Sequence, residues 1–470
     1  MTIQALEQQF TDLRVQFRSR RPLPDQGPVV LWMQRAQRAY DNPAMDLAIS
    51  VANQLNSPLA VFFAPRPDYP DAQLRHFTFL AQGIPELARD VTARGATFIL
   101  RSPPHTSLTQ FCTEVGARLV IGDENAMDFA EDWRRRAALQ LRVSLWTVAA
   151  DLIVPPRALP AQEFWAARSL RPKIAALLPI YLGLEHSQPP ERVLHSWPDL
   201  PPPSEDPQDI SGLLRRLGPI ACQAGPVAWQ GGRGAGLERL QSWIDKGLSR
   251  YTISRDEPSQ DGTSALSPWL HFGQLGPAEV ARAVERSQAP EDAKAAYLEQ
   301  LIVRRELAWH FVARNPEFRT LAGCEPWARK TLAEHALDHR PFSYTFEQLE
   351  SAQTHDPAWN AAQRQMVQTG WMHNRMRMYW AKQLLLWTPD PQTAMKFAQR
   401  LNDKWLLDGR DPNGYTGIAW SIGGKHDRPW PPAKPVWGWI RPMALSGLKK
   451  KTNLDAYLAQ HPPLTAFSLT

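Results

Sequence analysis

The chain has 470 residues, of which 43% are hydrophobic and 21% are charged, so its composition is that of a globular protein and not of a disordered one. A chain of this length exceeds what one hydrophobic core usually serves, and we expect two domains. The formal charge of +6 permits a polyanionic partner but does not by itself require one.

Residues 1–22 mix acids and bases in an amphipathic pattern, which predicts a helix. They lack the apolar core of a signal peptide, and no apolar run elsewhere reaches the length of a membrane span. The three cysteines, Cys112, Cys222 and Cys324, are far apart and lack the spacing of a metal site. Cysteines used in this way suit a reducing compartment, so we expect a cytoplasmic protein without membrane or metal partners.

Residues 28–150 alternate short β-rich runs with helical patterns. The sequence predicts strands at 29–33, 59–64, 98–100, 119–121 and 143–146, and helices at 43–55, 71–93, 107–115 and 130–141. Strands separated by helices indicate a Rossmann-like parallel α/β sheet. No GxGxxG or GxxxxGK[ST] motif follows any of these strands, so no dinucleotide or P-loop site is indicated.

A proline-rich connector follows, in which one continuous helix is excluded by Pro155-Pro156, Pro189-Pro190 and Pro201-Pro202-Pro203. Beyond it the chain reads as all-helical. Helices are expected at 237–248, 277–287, 290–315, 327–336, 345–353, 358–369 and 371–387. The predicted organisation is an α/β domain at 27–150, a connector at 151–225 and an all-α domain at 226–470.

The segment 354–443 is dense in tryptophan, of which the whole chain has 19. Two predicted helices are followed there by Asp-Pro-Asn-Gly and Gly-Gly turns among Trp, His, Asp and Arg. Nucleobases and flavins both stack on aromatic side chains, although a tryptophan-rich core produces the same composition. A polar, glycine-rich stretch behind two buried helices favours a binding site.

This segment contains, in order, THDPAWNAAQRQM, RMYWAK, LNDKW, LDGRDPNGYTGIAWSIGGKHDRPW and IRPM. These motifs resemble those of the cryptochrome/photolyase family, and within it the class II cyclobutane pyrimidine dimer (CPD) photolyases. The resemblance continues more thinly over the rest of the chain except its N-terminal segment. It implies a monomeric deoxyribodipyrimidine photolyase whose all-α domain binds FAD. In light, reduced FAD would donate an electron to a pyrimidine dimer flipped out of UV-damaged DNA.

The α/β domain of this family can hold an antenna chromophore, often a deazaflavin. The motif LWMQRAQRAYDNPAM resembles the family's first strand and helix, but Ala36 and Pro43 stand where an acid and a tryptophan are usual. Residues 122–127 replace a family segment around Pro-Leu-Arg. The resemblance therefore allows an antenna without requiring one.

A hydroxyl-rich turn, GTSALSP at 262–268, can point hydroxyl and N–H groups at a phosphate. Without the resemblance, the pattern favours an ordinary N-capped turn over a phosphate site. The resemblance implies an FAD diphosphate site with contacts from Tyr251, Thr263, Ser264, Leu266 and Ser267.

The resemblance also implies the groups around the flavin ring. Arg377, paired with Asp408, would lie beside the ring, and Asn402 would face flavin N5, where protein groups tune the cofactor. A helix arginine paired with a loop aspartate is otherwise a purely structural feature.

The lesion pocket is expected at Gln300, Arg304, Met378 and Trp420, which with Asn402 make up the implied catalytic set. Trp420 would stack on the extruded dimer. Gln300 stands where the class II family has a glutamate. An amide donates a hydrogen bond but cannot deliver a proton, and photolyases of (6-4) photoproducts carry glutamine at this place.

Trp380, Trp359 and Trp387 match the class II electron-transfer chain that photoreduces the flavin, although their spacing alone favours a core stripe. Lys425, Arg428, Trp430 and Arg441 are the implied DNA contacts. A metal site at His426 and Asp427 lacks a second ligand pair.

Three functions stay open at this stage. The first is CPD repair. The second is another photolyase activity, such as (6-4) repair, prompted by Gln300. The third is a cryptochrome-like blue-light photoreceptor that keeps the flavin and the tryptophans.

Overall fold

The computed structural model describes residues 1–183, 192–197, 204–218 and 224–463. Cys222 and the proline runs 189–190 and 201–203 lie outside the described residues, so the structure does not test the predictions that rest on them.

A six-stranded sheet organises the N-terminal part of the chain. Its strands are β1 (Val15–Ser19), β2 (Val29–Trp32), β3 (Leu59–Phe63), β4 (Thr97–Leu100), β5 (Leu119–Asp123) and β6 (Leu145–Val148). Their order is β1-β6-β5-β2-β3-β4, and every pair is parallel except β1 with β6. Strands β3, β5 and β6 are buried along their whole length, as expected when helices cover both faces. The predicted fold class is confirmed.

The helices of this layer are α1 (Ile3–Glu7), α2 (Pro43–Gln54), α3 (Leu74–Gln82), α4 (Ile84–Ala93), α5 (Leu108–Glu114) and α6 (Asp128–Gln140). The long helix predicted at 71–93 is in fact two helices that meet at Gly83, because Pro85 in the first turn of α4 starts a new helix there.

The prediction of an N-terminal amphipathic helix over 1–22 is wrong. Only α1 is helical, and β1 pairs antiparallel with β6 at the sheet edge. The alternation in Val-Gln-Phe-Arg-Ser explains the difference, because it presents Phe17 to one face of the sheet and Arg18 to the other. Phe17 packs edge-on against Trp146 with ring centroids 4.8 Å apart, while Arg18 pairs with Glu131.

Two helices, α7 (Ala167–Tyr181) and α8 (Ile210–Arg216), lie in the connector, and α7 occupies the interval after the first proline pair. The C-terminal part is all-helical: α9 (Arg233–Lys246), α10 (Tyr251–Ser254), α11 (Ser267–His271), α12 (Pro277–Arg286), α13 (Glu291–Leu298), α14 (Arg305–Arg314), α15 (Pro326–Glu334), α16 (Phe346–Glu350), α17 (Pro357–Thr369), α18 (Asn374–Trp387), α19 (Pro391–Trp405), α20 (Pro412–Gly423), α21 (Leu445–Lys451) and α22 (Leu454–Gln460). A π-helical stretch, Glu299–Arg304, joins α13 to α14.

Helix α20 was not foreseen, because its sequence suggests turns. Asp411 caps it by accepting from the N–H of Asn413, Pro412 occupies the first turn, and Gly424 ends it in the left-handed region at φ 63°. The glycines expected to form turns are therefore largely helical. The segment instead packs as a helix between α14, α18 and α19.

Charged side chains join the N-terminal α/β part of the chain to the helical C-terminal part. Arg35, just after β2, donates to Asp411 at 2.6 Å and pairs with Asp151 at 3.3 Å, while Arg305 of α14 donates to the same Asp151 at 2.5 Å. His271 lies 3.2 Å from the Asp411 carboxylate. Buried charges need such partners, and this network fixes the end of the sheet against the start of α20.

Within the described residues, no helix is long and apolar enough to cross a membrane.

Candidate functional site

The hydroxyl-rich turn lies against a cluster of aromatic side chains. The Tyr297 hydroxyl donates to Ser264 Oγ at 3.1 Å, and the Tyr297 ring lies 5.4 Å from that of Tyr251. Arg239 holds the turn by donating to the carbonyls of Thr263 at 3.0 Å and Ser264 at 2.8 Å. With these carbonyls occupied, the turn has a fixed shape, while Thr263 and Ser267 remain partly exposed. Leu266 is buried beneath them.

The chain after Tyr251 reaches the first turn of α18. Arg375 pairs with Asp256 at 2.7 Å. Arg375 Nε and His373 Nε2 are both buried and have no hydrogen-bond partner. Unsatisfied buried donors are costly, and their grouping here leaves hydrogen-bonding capacity for a polar ligand.

Arg377 and Asp408 form a two-pronged ion pair. One guanidinium nitrogen of Arg377 donates to both oxygens of Asp408 at 2.9 Å, and its Nε donates to the Met372 carbonyl at 3.0 Å. The Arg377 side chain remains 22% exposed. The pair is thus rigid on one side and accessible on the other.

Asn402 is buried at the end of α19, close to the start of α20. Its amide donates to Asp403 Oδ1 at 2.8 Å, and Tyr415 donates to the other oxygen of Asp403 at 2.5 Å. A Cβ atom on Gly414 would lie 2.9 Å from the Asn402 amide nitrogen, so any larger residue there would displace this amide. The Asn402 side chain is thereby held in one orientation.

The expected lesion residues lie on three elements: α18, α20 and the π-helical stretch. Met378 and Trp420 are half-buried on α18 and α20, which pack against each other. Gln300 and Arg304 are exposed on the π-helical stretch, and α14, its continuation, packs against α20. Glu299 accepts from Arg304 at 3.1 Å and from Arg171 of α7 at 2.8 Å. Gln300 itself is left facing solvent.

Three tryptophans of α17 and α18 form a contiguous series. Trp359 stacks on Trp380 with centroids 6.0 Å apart and an interplanar angle of 11°, and it lies 5.6 Å from Trp387. Each is at most 3% exposed. Trp387 does not reach the surface itself, because His355 at 5.3 Å and Tyr344 at 5.5 Å lie around it.

The expected DNA contacts divide into two groups. Arg428 and Arg441 both lie over the ring of Trp430, at 4.7 and 4.5 Å from its centroid, and both are exposed. Lys425 instead is 4% exposed and paired with Glu163 and Glu325. Its ammonium joins the connector to α15 and is not turned to solvent.

A separate cavity opens at the carboxyl ends of β2, β3 and β5. Its lining includes Tyr69, Asn125 and a stacked pair in which the Arg66 guanidinium lies 4.4 Å from the Trp133 ring centroid. The buried Gln34 Oε1 at this cavity has no hydrogen-bond partner. In this sheet β2 is the point where strand order reverses, which is the usual ligand crevice of such folds.

Sequence reasoning missed two groups. Asp411 was passed over although an Asp-Pro pair is a helix-start signal that would have identified it as a cap. Lys382 lies inside the RMYWAK motif, but nothing in its spacing indicated that it would be completely buried beside Trp420.

Models of two protein families match the chain. Residues 29–193 match the model described as DNA photolyase, and residues 297–426 match the FAD binding domain of DNA photolyase.

Known proteins give the same indication over almost the full length. A deoxyribodipyrimidine photo-lyase of Methanothermobacter thermautotrophicus is 35% identical over 92% of this chain and 93% of its own length. The enzyme of the same name from Oryza sativa subsp. japonica is 38% identical over 92% of this chain and 87% of its own. The crystal structure of a Synechocystis cryptochrome has the same fold, with a TM-score of 0.71 at 19% identity, over 93% of this chain and 89% of that one.

Proposed function

Because this chain belongs to the DNA photolyase family, we propose that it repairs cyclobutane pyrimidine dimers in UV-damaged DNA by light-driven electron transfer. The chemistry that FAD supplies when bound is the donation of one electron to the dimer after absorption of light. The support comes from α18, which carries Arg377, Met378 and two of the three clustered tryptophans, the third being Trp359 of α17. One helix would thus connect a cofactor site, a substrate site and a route for electrons.

FAD would be held by the turn around Ser264 and by the polar groups at the start of α18. Tyr251, Thr263, Leu266 and Ser267 would contact its diphosphate half, next to the buried and unpartnered Arg375 Nε. Arg377 brings a positive charge to the ring, and Asp408 fixes its orientation. A cation at this place favours the anionic reduced state of a flavin. Asn402, fixed by Asp403, would bind at N5.

The extruded pyrimidine dimer would be bound by Trp420 and Met378, with Gln300 and Arg304 at the entrance. Stacking of an extruded base on an indole contributes about 1–3 kcal/mol in comparable sites. Gln300, exposed and without a charge, would donate a hydrogen bond to a pyrimidine carbonyl. Arg428, Arg441 and Trp430 would bind the DNA backbone beside the pocket.

Electrons for regeneration of the reduced cofactor would pass through Trp387, Trp359 and Trp380. Their ring separations of 5.6 and 6.0 Å support this route. Replacing Trp359 with Phe should slow photoreduction of bound FAD at least about tenfold, or ~1.4 kcal/mol in barrier. Trp269→Phe, at an equally buried tryptophan outside the series, is the matched control. Equal rates in the two variants would exclude the route.

The crevice at Arg66 and Trp133 would accept the planar ring of an antenna chromophore, since its stacked cation and indole suit an aromatic ligand. The antenna chromophore would therefore bind in this crevice, and we propose that it is a deazaflavin, as the family resemblance implies. Arg66→Ala should lower its occupancy in the purified protein, as read from the absorption spectrum.

The deciding experiment is loss of the dimer from an oligonucleotide with one defined thymine dimer, under blue light with reductant and with a dark control. Repair by the wild type, and faster repair by Gln300→Glu, is the expected result. No repair by either protein, with FAD bound and photoreducible, would overturn the proposal.

Repair of (6-4) photoproducts is the second candidate, because the uncharged Gln300 occupies the exposed turn beside the pocket. An oligonucleotide with one (6-4) lesion in the same assay distinguishes the two. Conversion of that lesion alone by the wild type would favour the second candidate.

A further inference from the structure

Lys382 occupies the middle of α18, and its side chain is 0% exposed. Lysine is almost never fully buried without a charged partner. The partners here are instead a carbonyl and two indoles: Nζ donates to Ser421 O at 2.9 Å and lies 4.4 Å from the Trp420 ring centroid and 5.7 Å from that of Trp437. Such a group requires an explanation beyond packing.

The position of Lys382 determines how Trp420 can be used. The buried ammonium lies over one side of the indole, and Trp420 as a whole is only half-buried, so a ligand would stack on its other side. An ammonium attracts the negative face of an indole, and this attraction is strongest where water is excluded. A protonated Lys382 therefore holds the Trp420 ring from behind.

The charge on Lys382 responds to conditions near neutrality. Burial lowers the pKa of this lysine to about 7, while Asp427 raises it and Arg441 lowers it. Both of these residues belong to the segment that carries Trp430, whose indole N–H donates to Asp427 at 3.2 Å. Both protonation states are thus accessible, and the DNA-facing segment influences the balance between them.

We propose that Lys382 is a positioning residue for Trp420, whose ammonium, held between Ser421 O and the buried side of the indole, orients the ring for lesion docking. This inference rests on the proposed function, in which Trp420 stacks on the damaged base. The dependence of docking on pH follows from it, with tighter docking on the acidic side.

DNA binding and protonation of Lys382 favour each other in this arrangement. A phosphate that neutralises Arg441 removes part of the repulsion on the Lys382 ammonium, so bound DNA raises the pKa of Lys382. Linkage requires the reciprocal effect, in which the protonated protein binds DNA more tightly.

The first test needs no DNA. Indole absorbance near 290 nm responds to a nearby charge, so a pH titration from 6 to 9 should show a difference band with its midpoint near 7. The band should be missing in Lys382→Met and Lys382→Arg, weakened in Trp420→Phe, where the more distant Trp437 remains, and retained in Lys294→Met, a control at another buried lysine. Absence of the band in the wild type, or its retention in Lys382→Met, overturns the inference.

The second test measures the preference for an oligonucleotide with one thymine dimer over the undamaged duplex. This preference should fall about tenfold in the wild type from pH 6 to 9, remain high in Lys382→Arg and be low at every pH in Lys382→Met. Burial also raises the pKa of Glu306 to about 7, so Glu306 titrates in the same range as Lys382. A pH dependence caused by Glu306 would persist in the Lys382 variants, whereas one caused by Lys382 would not.

The two proposals fail in different ways. A titrating indole band together with no dimer binding at any pH supports the contact of Lys382 with Trp420 and overturns the proposed function. Dimer binding that does not change with pH in the wild type overturns the role of Lys382 and leaves the proposed function intact.

Discussion

One turn, between α19 and α20, supplies carboxylates to two very different places. Asp411 is sealed in the domain junction, where it binds Arg35, His271 and the first turn of α20. Asp408, three positions earlier, binds Arg377, whose side chain is 22% exposed toward the proposed cofactor site. The same residue type is thus fully enclosed with its partners in one place and, in the other, bound to an arginine that the proposed function leaves accessible to a ligand.

The largest expected effect is from Asp411→Asn. The amide keeps the shape and can still cap α20, but Arg35 is left with a buried charge that Asp151 alone balances. Removing one partner of a buried pair costs about 3–5 kcal/mol. Urea denaturation followed by circular dichroism measures the change in unfolding free energy, and a loss below about 1 kcal/mol would contradict the sealed junction.

Acid should weaken the junction in a defined window. Burial lowers the pKa of His271 to about 4, so between the ordinary histidine value near 6.5 and 4 the unfolded chain binds the extra proton. Stability therefore falls as the pH drops through this window, by up to about 1.4 kcal/mol per pH unit for this group.

His271→Gln should reduce the slope of unfolding free energy against pH by up to about 1.4 kcal/mol per pH unit, which corresponds to one proton. Other buried histidines contribute to the slope, since burial also lowers the pKa of His373 and of His426 to about 4. An unchanged slope in His271→Gln would show that the folded protein does not resist protonation of His271. Measurements at pH 5–7 avoid titration of most carboxylates.

Asp408→Asn should affect the cofactor rather than the fold. Without its counter-charge, Arg377 attracts a reduced flavin more strongly, and the midpoint potential of bound FAD should rise by roughly 30 mV, equal to about tenfold for a two-electron couple. Spectroelectrochemical titration measures the shift. The same shift in Asp411→Asn would remove the distinction between the two carboxylates.

The smallest effect is expected from Asp128→Asn. Asp128 also binds an arginine, Arg319, but its side chain is 55% exposed. Exposed pairs contribute about 0–1 kcal/mol, so this variant sets the baseline against which the buried pair is judged. A loss as large as that of Asp411→Asn would show that burial is not the cause.

The sequence predicts the order of strands and helices in the α/β layer because periodicity and chain order suffice for parallel βα units. It fails at residues 1–22, where a five-residue strand pairs with a strand more than 100 positions away in the chain. Periodicity within a segment contains no information about such a partner.

The candidate site is divided in the same way. The motifs give the residue types, and the ion pair of Arg377 with Asp408 is present as the resemblance implies. The burial of Lys425 between Glu163 and Glu325 depends on where the connector folds, which its own motif does not encode. Lys382 was missed for the same reason, since its contacts come from α20 and from the segment after it.

The π-helical stretch Glu299–Arg304 lies between α13 and α14 and changes the direction in which the side chains of the following helix point. Before it, Tyr297 points to Ser264, and after it, Glu306 accepts from the N–H groups of Ile153 and Val154 at 2.9 and 3.2 Å. An α-helix advances by about 100° per residue, so deleting one residue of the widened turn would rotate everything that follows by that angle. Glu306 would then lose its hydrogen bonds to Ile153 and Val154 of the connector, while Tyr297 would keep its contact with Ser264. The extra residue thus lets a single helix serve two partners, with Gln300 exposed on the loosened turn between them.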